Sequence, residues 1–180
     1  MEEKKKIRNK DMLEWYDALV FAVAALVLLF SFAARVVVVS GSSMKHTLMH
    51  GDRLLVQSSF YTPSRGDVVV VDGFTRYGKP LVKRVIAVGG DTVLIKPEEG
   101  LVYVNGQALV EPYLHEGVTL SAGEAAIPVT VPEGTLFLMG DNRQNSTDSR
   151  DPQVGFVDER DILGRVLLRL FPLSEFGVIE

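Results

Sequence analysis

Two side chains of this sequence, Ser43 and Lys83, could together carry out nucleophilic catalysis. A serine hydroxyl is a poor nucleophile at its own pKa, so it needs a neighbouring base that is neutral when it acts. A lysine can be that base only where burial disfavours its ammonium form. Because Lys83 lies in the largely apolar run 81–86, we predict that its surroundings lower its pKa. The pair therefore indicates acyl transfer by a serine and a lysine.

The position of Lys83 in a strand decides which neighbours could bury it. A β-strand at 81–88 would place alternate side chains on opposite faces, so Arg84 would point away from Lys83. Lys83 would then share its face with Leu81, Val85 and Ala87. Two simpler interpretations stay open on this pattern alone. Lys83 could be an edge-strand lysine whose ammonium reaches water, and Ser43 could serve only the chemistry of a glycine-rich turn.

A hydrophobic segment precedes the pair. Residues 18–34 carry no charge and reach the lower end of the length that spans a bilayer. Five basic residues within 1–10 place the N-terminus in the cytoplasm by the positive-inside bias. We expect a cytoplasmic segment at 1–17, a transmembrane anchor at 18–34 and an extracytoplasmic domain at 35–180. The alternatives are a cleavable signal peptide, with small residues at Ser31 and Ala33, and a buried helix, which the missing polar face disfavours.

The bulk composition narrows the classes of partner and cofactor. The formal net charge is −4, with 19 Lys and Arg against 23 Asp and Glu, so the chain lacks the broad basic surface of nucleic-acid binding proteins. The absence of cysteine excludes disulfides, thiolate catalysis and Cys-ligated zinc. The three histidines, His46, His50 and His115, lack the spacing of a metal site. We expect neither a metal nor a cofactor.

The rest of the 180 residues predicts one mainly β domain. Short runs rich in Val, Leu and Ile alternate with Gly, Pro, Asn and Asp, which is typical of antiparallel strands. Asn105-Gly106 predicts a tight hairpin turn, 111–132 an excursion from the core, and 158–161 a helical turn. Strands are predicted at 36–39, 53–57, 67–71, 81–88, 92–96, 101–104, 107–110, 135–139 and 162–170. A closed or nearly closed sheet would bury their apolar faces.

The residues around Ser43 resemble the nucleophile segment of type I signal peptidases, a family of Ser/Lys serine proteases. That segment has the pattern Gly-X-Ser-Met-X-Pro-Thr-Leu, and residues 41–48 match it except that His46 replaces the proline. Further boxes of the family follow in order: Arg65-Gly66-Asp67, then 82–91 around Lys83, then 140–150, and finally Gly155-Phe156-Val157. The resemblance extends from about residue 36 to 170.

The resemblance implies a single N-terminal transmembrane helix followed by an antiparallel β-rich catalytic domain of the complex β fold. It implies that Ser43 is the nucleophile and Lys83 the general base. Ser146 would orient the lysine, with Asp148 and Arg150 as a charged brace behind it. The remaining positions carried over would shape the turn of Ser146, namely Asp141, Asn142 and Arg143.

The same segment should bind substrate and the oxyanion. The Ser43 amide in a glycine-rich turn is suited to stabilise charge on the scissile carbonyl oxygen. Some family members have a serine where this chain has Gly41, so a backbone amide, an ordered water, Ser40 or Ser42 could supply the second donor. We expect Gly41, Ser42, Ser43 and Met44 to form the oxyanion- and substrate-binding segment. Phe60, Tyr61 and Phe74 could line a membrane-facing surface, although ordinary core packing is the favoured explanation for them.

The implied function is removal of signal peptides from exported preproteins after a small-X-small motif. The implied partners are preproteins, the lipid bilayer and the secretion translocon. Because some relatives use histidine in place of the lysine, a catalytic histidine is an alternative, which Lys83 in its own box disfavours. A self-cleaving Ser/Lys protease similar to SOS-response repressors, and a catalytically silent membrane-anchored β domain that binds a secretion partner, also remain alternatives.

Overall fold

The N-terminal part of the chain is one long helix. A computed structural model describes residues 2–59, 61–73, 75, 77–115 and 117–179, without the side chains of 2–11, 28–32 and 124. Helix α1 spans Glu2–Ala33, a stretch without Gly or Pro, so the basic and the apolar segments are continuous. Ala34, the last residue of the predicted anchor, already begins a strand. Within the described residues, no helix meets the combined length and apolarity required for a bilayer span.

Antiparallel strands make up the rest of the domain. One sheet has the order β1-β2-β11-β3-β4-β9-β10, with β12 beside β11, and the other has the order β7-β6-β5-β8. The strands are β1 Ala34–Val38, β2 Arg53–Gln57, β3 Val68–Val71, β4 Leu81–Val88, β5 Thr92–Lys96, β6 Leu101–Val104, β7 Gln107–Ala108, β8 Val129–Thr130, β9 Thr135–Met139, β10 Val157–Asp158, β11 Ile162–Phe171 and β12 Gly177–Val178. The predicted mainly β, antiparallel class is confirmed.

All nine predicted strands form, with shifts at their ends. The region 107–110 keeps only the two residues of β7, and the helical turn predicted at 158–161 is the 3₁₀ helix Glu159–Asp161. The sequence prediction missed β8, β10 and β12, each two residues long, because so short a run has no readable alternation. Further 3₁₀ turns lie at Gly123–Ala126 and Leu173–Glu175.

Strand β4 lies inside the large sheet and carries Lys83. It pairs with β3, where Val69 is opposite Lys83, and with β9, where Met139 is opposite Arg84. A register shift between Val85 and Ala87 breaks the strict alternation of side chains. Ala87 therefore packs with Ile86 in one core cluster, whereas Leu81 and Val85 belong to another. The prediction that Ala87 shares a face with Leu81 and Val85 is wrong for this reason.

The turn that carries Ser43 connects β1 to β2 and is anchored in the core. Met44 and Leu48 are 2% and 0% exposed, and the Leu48 amide donates a 2.8 Å hydrogen bond to the Met44 carbonyl. The ends of the turn are also joined, because the Val39 amide donates to the Asp52 carbonyl at 2.9 Å. Two buried apolar side chains one helical turn apart therefore hold this otherwise exposed segment in place.

Candidate active site

The Ser43 hydroxyl and the Lys83 amine are in direct contact. Lys83 Nζ lies 2.6 Å from Ser43 Oγ and 3.2 Å from the Val82 carbonyl oxygen. Lys83 is only 2% exposed, whereas Ser43 is half-buried at the surface of a cavity. The alternative in which the Lys83 head reaches water does not hold in this structure. A serine hydroxyl next to a buried amine is the arrangement that nucleophilic catalysis requires.

Burial lowers the pKa of Lys83 from 10.5 to about 8. The negative charges of Asp148 and Asp141 act in the opposite direction and raise this pKa, while Arg150 lowers it further. The desolvation of the ammonium group is therefore the main cause, as the apolar surroundings in the sequence predicted. Near and above pH 8 a large fraction of Lys83 is neutral and able to accept a proton.

A buried ion pair between Asp148 and Arg150 lies behind the lysine. Arg150 Nε and Nη2 donate to Asp148 Oδ1 and Oδ2, both at 2.8 Å, and the Gly140 amide donates to Asp148 Oδ2 at 3.0 Å. Burial opposes ionisation of Asp148, but these donors outweigh burial and keep the pKa of Asp148 below its usual value. The role of this ion pair as a brace for Lys83 stays a prediction.

Ser146 lies near the site without the predicted hydrogen bond. Its Oγ is buried and meets hydrogen-bond geometry with no described residue, but it lies close enough to Asp148 to help lower the pKa of that carboxyl. A Cβ at Gly140 would overlap both Ser146 Oγ and the Ser43 carbonyl oxygen, so all three groups are tightly packed. Only a glycine permits this approach. The role of Ser146 in orienting Lys83 stays a prediction.

Asp141 connects the lysine strand to the nucleophile turn. Arg84 Nε and Nη2 donate to its two carboxylate oxygens at 2.9 and 2.7 Å, and Thr47 Oγ1 donates to Oδ2 at 2.5 Å. The family resemblance implies only that Asp141 shapes the turn of Ser146, and it implies no role for Arg84 or Thr47. A second charged residue beside Lys83 in a strand of aliphatic residues was the available signal for Arg84.

Two asparagines that follow Asp141, Asn142 and Asn145, donate hydrogen bonds to the turn that carries Ser43. Asn142 donates from its main chain to the Ser43 carbonyl at 2.9 Å and from its side chain to the Ser42 carbonyl at 3.0 Å. Asn145 Nδ2 donates to Ser42 Oγ at 3.1 Å. Asn142 thus supports Ser43 directly, not only the turn of Ser146. Arg143 Nε donates to the Gly140 carbonyl at 3.1 Å, which stabilises the same turn.

Only some hydrogen-bond donors of the segment expected to bind the oxyanion, residues 41–44, are free to do so. The Gly41 amide donates to His50 Nδ1 at 3.3 Å, whereas no described residue accepts from the Ser43 amide. Ser42 Oγ accepts from Asn145, which leaves its own proton for donation. Met44 is buried in the core, so its side chain forms part of the cavity floor and anchors the turn.

A cavity of about 500 Å³ opens beside the pair. One wall is β1, which ends the large sheet, so its outer edge pairs with no other strand of the described residues. The cavity is lined by Val37, Val38, Val39, Ser40, Gly41, Ser43, Met44, Val70, Tyr77, Lys79, Pro80, Leu81, Val82 and Lys83. Among the aromatics predicted to line a membrane-facing surface, Tyr61 packs against a core cluster and donates to Asp67, while Phe60 and Phe74 lie outside the described residues.

His46, which replaces the proline of the family pattern, contacts a distant segment. Its ring stacks on His115 with centroids 3.8 Å apart. Within the described part of the chain, Ser43 Oγ forms a hydrogen bond with Lys83 and with no histidine. Among the described residues, no group of three acidic or histidine side chains is placed to hold a metal ion.

The chain matches a protein-family model and several characterised relatives over most of its length. The model described as signal peptidase, peptidase S26, matches residues 12–171. Signal peptidase I from Bacillus licheniformis is 38% identical over 97% of this chain and 96% of that protein. Signal peptidase I T from Bacillus subtilis strain 168 is 37% identical over 97% of this chain and 93% of that protein. A crystal structure of a signal peptidase I from Enterococcus faecalis V583 aligns at 30% identity and a TM-score of 0.48, covering 59% of this chain and 98% of that one. Given the family match and the near-complete alignments with the two Bacillus proteins, this chain belongs to the signal peptidase family, peptidase S26.

Proposed function

We propose that this protein is a membrane-bound serine endopeptidase that removes signal peptides from exported preproteins. Ser43 is the nucleophile and Lys83 the general base. The observation that carries this proposal is the 2.6 Å contact between Ser43 Oγ and the buried Lys83 amine, in a chain of the signal peptidase family. Ser/Lys acyl transfer needs neither a metal nor a cofactor.

The reaction proceeds in two acyl-transfer steps. Neutral Lys83 accepts the proton of Ser43 Oγ as this oxygen attacks the scissile carbonyl carbon. The resulting ammonium of Lys83 then donates a proton to the nitrogen of the leaving mature chain, and an ester remains on Ser43. Lys83, neutral again, accepts a proton from water, whose oxygen attacks the ester. The signal peptide leaves with a free carboxylate, and the proton returns to Ser43 Oγ.

The carbonyl oxygen becomes negatively charged in each step and needs donors. The Ser43 amide is one donor, because it has no acceptor among the described residues. The Ser42 hydroxyl is the second, because Asn145 donates to its oxygen and leaves its proton free for a ligand. Asn142 supports both groups by binding the Ser42 and Ser43 carbonyls from behind.

The preprotein binds as an added strand on β1. The outer edge of β1 has unpaired main-chain groups, which can bind an extended peptide leading to Ser43. Alternate side chains of that peptide would enter the cavity between β1 and β4, where valines and Leu81 leave room for small apolar groups. This arrangement selects Ala, Gly or Ser at the first and third residues before the cut.

Helix α1 anchors the enzyme, with 1–17 cytoplasmic, 18–34 in the membrane and 35–180 outside. The basic residues before the uncharged stretch support this orientation. Several apolar side chains of the described part of α1 are exposed, including Trp15 at 78% and Phe21 at 77%, which suits contact with lipid. Because β1 follows α1 directly, Ser43 lies ten residues beyond the helix end and so at most about 36 Å from it. Signal peptides, and the translocon that delivers them, would therefore meet the active site close to the outer surface of the membrane.

A preprotein cleavage assay in detergent tests the proposal. Wild-type protein should release the mature chain at its small-X-small site, and Ser43→Ala and Lys83→Ala should each abolish release while remaining folded. Ser174→Ala and Lys96→Ala are matched controls, since both residues are distant from the Ser43 cavity, and should cleave normally. Cleavage by either dyad variant would refute the mechanism. A folded wild-type protein that cleaves no preprotein would favour a silent binding domain.

A further inference from the structure

A short segment far from Ser43 in sequence covers the buried charges behind the site. Residues 111–115 follow β7 and contact two buried arginines. One is Arg84 on the lysine strand, and the other is Arg143 in the turn that contains Asp141. Glu111 accepts hydrogen bonds from Arg143 at 2.5 and 3.0 Å, with both side chains almost fully buried. The proposed mechanism gives this segment no role, so its contacts call for a separate explanation.

Tyr113 is the member of this segment that contacts the lysine strand. Its ring centroid lies 3.8 Å from Arg84 Cζ, and its hydroxyl donates to Glu111 Oε1 at 2.8 Å. Burial, together with the charge of Glu111, raises the pKa of Tyr113 above its ordinary value, so the phenol stays neutral. A guanidinium against an aromatic face in a desolvated site is an attractive contact. The ring therefore holds one face of Arg84 while Asp141 binds its edge.

The contacts of Arg84 continue to the nucleophile turn. Arg84 and Thr47 donate to the same oxygen of Asp141, at 2.7 and 2.5 Å. Thr47 follows Ser43 in the turn that places Ser43 Oγ against Lys83. A shift of the guanidinium would move the carboxylate, and the carboxylate is the side-chain partner of the Thr47 hydroxyl. Tyr113 is thus linked to Ser43 by three side chains, those of Arg84, Asp141 and Thr47, and by one turn of main chain.

We propose that Tyr113 is a positioning residue for peptide-bond cleavage, whose ring holds Arg84 on Asp141 and thereby holds the Ser43 turn against Lys83. This inference rests on the proposed peptidase function. A ring that only fills space would affect the melting temperature and leave the chemical step unchanged. A positioning ring would affect kcat more than KM, because misplacement of a nucleophile by a fraction of an ångström slows attack.

The pH profile provides a second distinction. Asp141 raises the pKa of Lys83, and Arg84 offsets part of that negative charge. When Arg84 is no longer held in place, Asp141 acts more strongly on Lys83, and the profile of kcat/KM should move to higher pH. A loss of packing alone leaves the midpoint of the profile unchanged.

The test compares Tyr113→Leu with Tyr113→Phe on a cleavable preprotein. We expect Tyr113→Leu to lower kcat about tenfold, with little change in KM and an upward shift of the pH profile. Tyr113→Phe keeps the aromatic face and should stay within about twofold of wild type. Tyr103→Leu is the matched control, because Tyr103 also donates to a glutamate, Glu99, and faces a cation, Lys96, but does so on the partly exposed face of β6. It should leave kcat and the profile unchanged.

The outcomes separate this inference from the proposed function. If wild type cleaves the preprotein and Tyr113→Leu matches it in kcat and pH profile, the inference is wrong and the peptidase function stands. If Tyr113→Phe loses as much as Tyr113→Leu, the ring contact is not the cause, and the inference is again wrong. If Tyr113→Leu does not unfold cooperatively, Tyr113→Met replaces it, since a thioether fills irregular space without an aromatic face. Wild-type kcat in Tyr113→Met would then overturn the inference.

Discussion

Thr47 Oγ1 donates a 2.5 Å hydrogen bond to Asp141 Oδ2 across 94 positions of the sequence. This bond joins the turn of Ser43 to the turn that follows β9. The carboxylate also binds Arg84, the neighbour of Lys83, so one buried group contacts the segments of both proposed catalytic residues. The distance between the Ser43 and Lys83 side chains therefore depends on Asp141, which belongs to neither the Ser43 turn nor the Lys83 strand.

Thr47→Val should reduce both stability and cleavage, because it removes this bond and leaves an oxygen of a buried carboxylate with one donor fewer. We expect a loss of about 1–3 kcal/mol in the free energy of unfolding, measured by chemical denaturation. Thr130→Val is the control, since its hydroxyl forms only a 3.4 Å contact with another exposed threonine. Equal unfolding free energies for Thr47→Val and wild type would show that the Asp141 contact contributes nothing.

Cleavage should increase with pH through a midpoint near 8. The active form of Lys83 is the neutral amine, and its pKa is lowered from 10.5 to about 8, so the active fraction rises as pH passes through about 8. The measurement is kcat/KM for a preprotein as a function of pH, which reports groups of the free enzyme. A midpoint close to 10.5 would mean that Lys83 is solvated and would contradict the buried base.

Gly140→Ala should impair cleavage more than an alanine at a glycine with open space around it. The new Cβ would overlap Ser146 Oγ and the Ser43 carbonyl oxygen, so the nucleophile turn must move. Overpacking of this kind costs about 1–3 kcal/mol of stability. Gly177→Ala in β12 is the control, because a Cβ at that position has open space. Wild-type kcat and melting temperature in Gly140→Ala would exclude the tight approach of these groups.

Asp148→Asn should destabilise the fold at neutral pH by about 3–5 kcal/mol, because it leaves the buried Arg150 without its counter-charge. The folded pKa of Asp148 is below its usual value of about 3.9, so its stabilising effect is complete above that value. That effect is lost as pH falls through the lower folded pKa, and wild type and variant should then converge. Denaturation of both proteins at neutral and acidic pH measures this. The exposed pair of Asp158 and Arg160 is the control, and Asp158→Asn should show little change.

Local patterns were sufficient to predict most of the fold and the two central residues. Alternating aliphatic runs and turn residues mark strands such as β2 and β4 within a few neighbouring positions. The ordered boxes around Ser43 and Lys83 indicated a pair 40 positions apart, and the structure brings their side chains to 2.6 Å. The apolar residues beside Lys83 also predicted the direction of its pKa shift.

Side-chain partners between distant segments were not predictable from these patterns. The register shift after Val85 places the Ala87 side chain on the opposite face of the sheet from the one that strict alternation predicts. Nothing in the composition of β4 indicates this shift. Ser146 was expected to bind Lys83, yet among the described residues its hydroxyl meets hydrogen-bond geometry with none and lies beside Asp148.

The sequence by itself determined the family, the β-rich class and the positions of Ser43 and Lys83, because these depend on residue order along the chain. Only the tertiary structure decided that Asp141 joins Arg84 to Thr47 and that Tyr113 covers Arg84. Each of these contacts spans tens of residues and depends on the direction of buried side chains. Such directions are set by the packing of the whole domain and leave no periodic trace in any one segment.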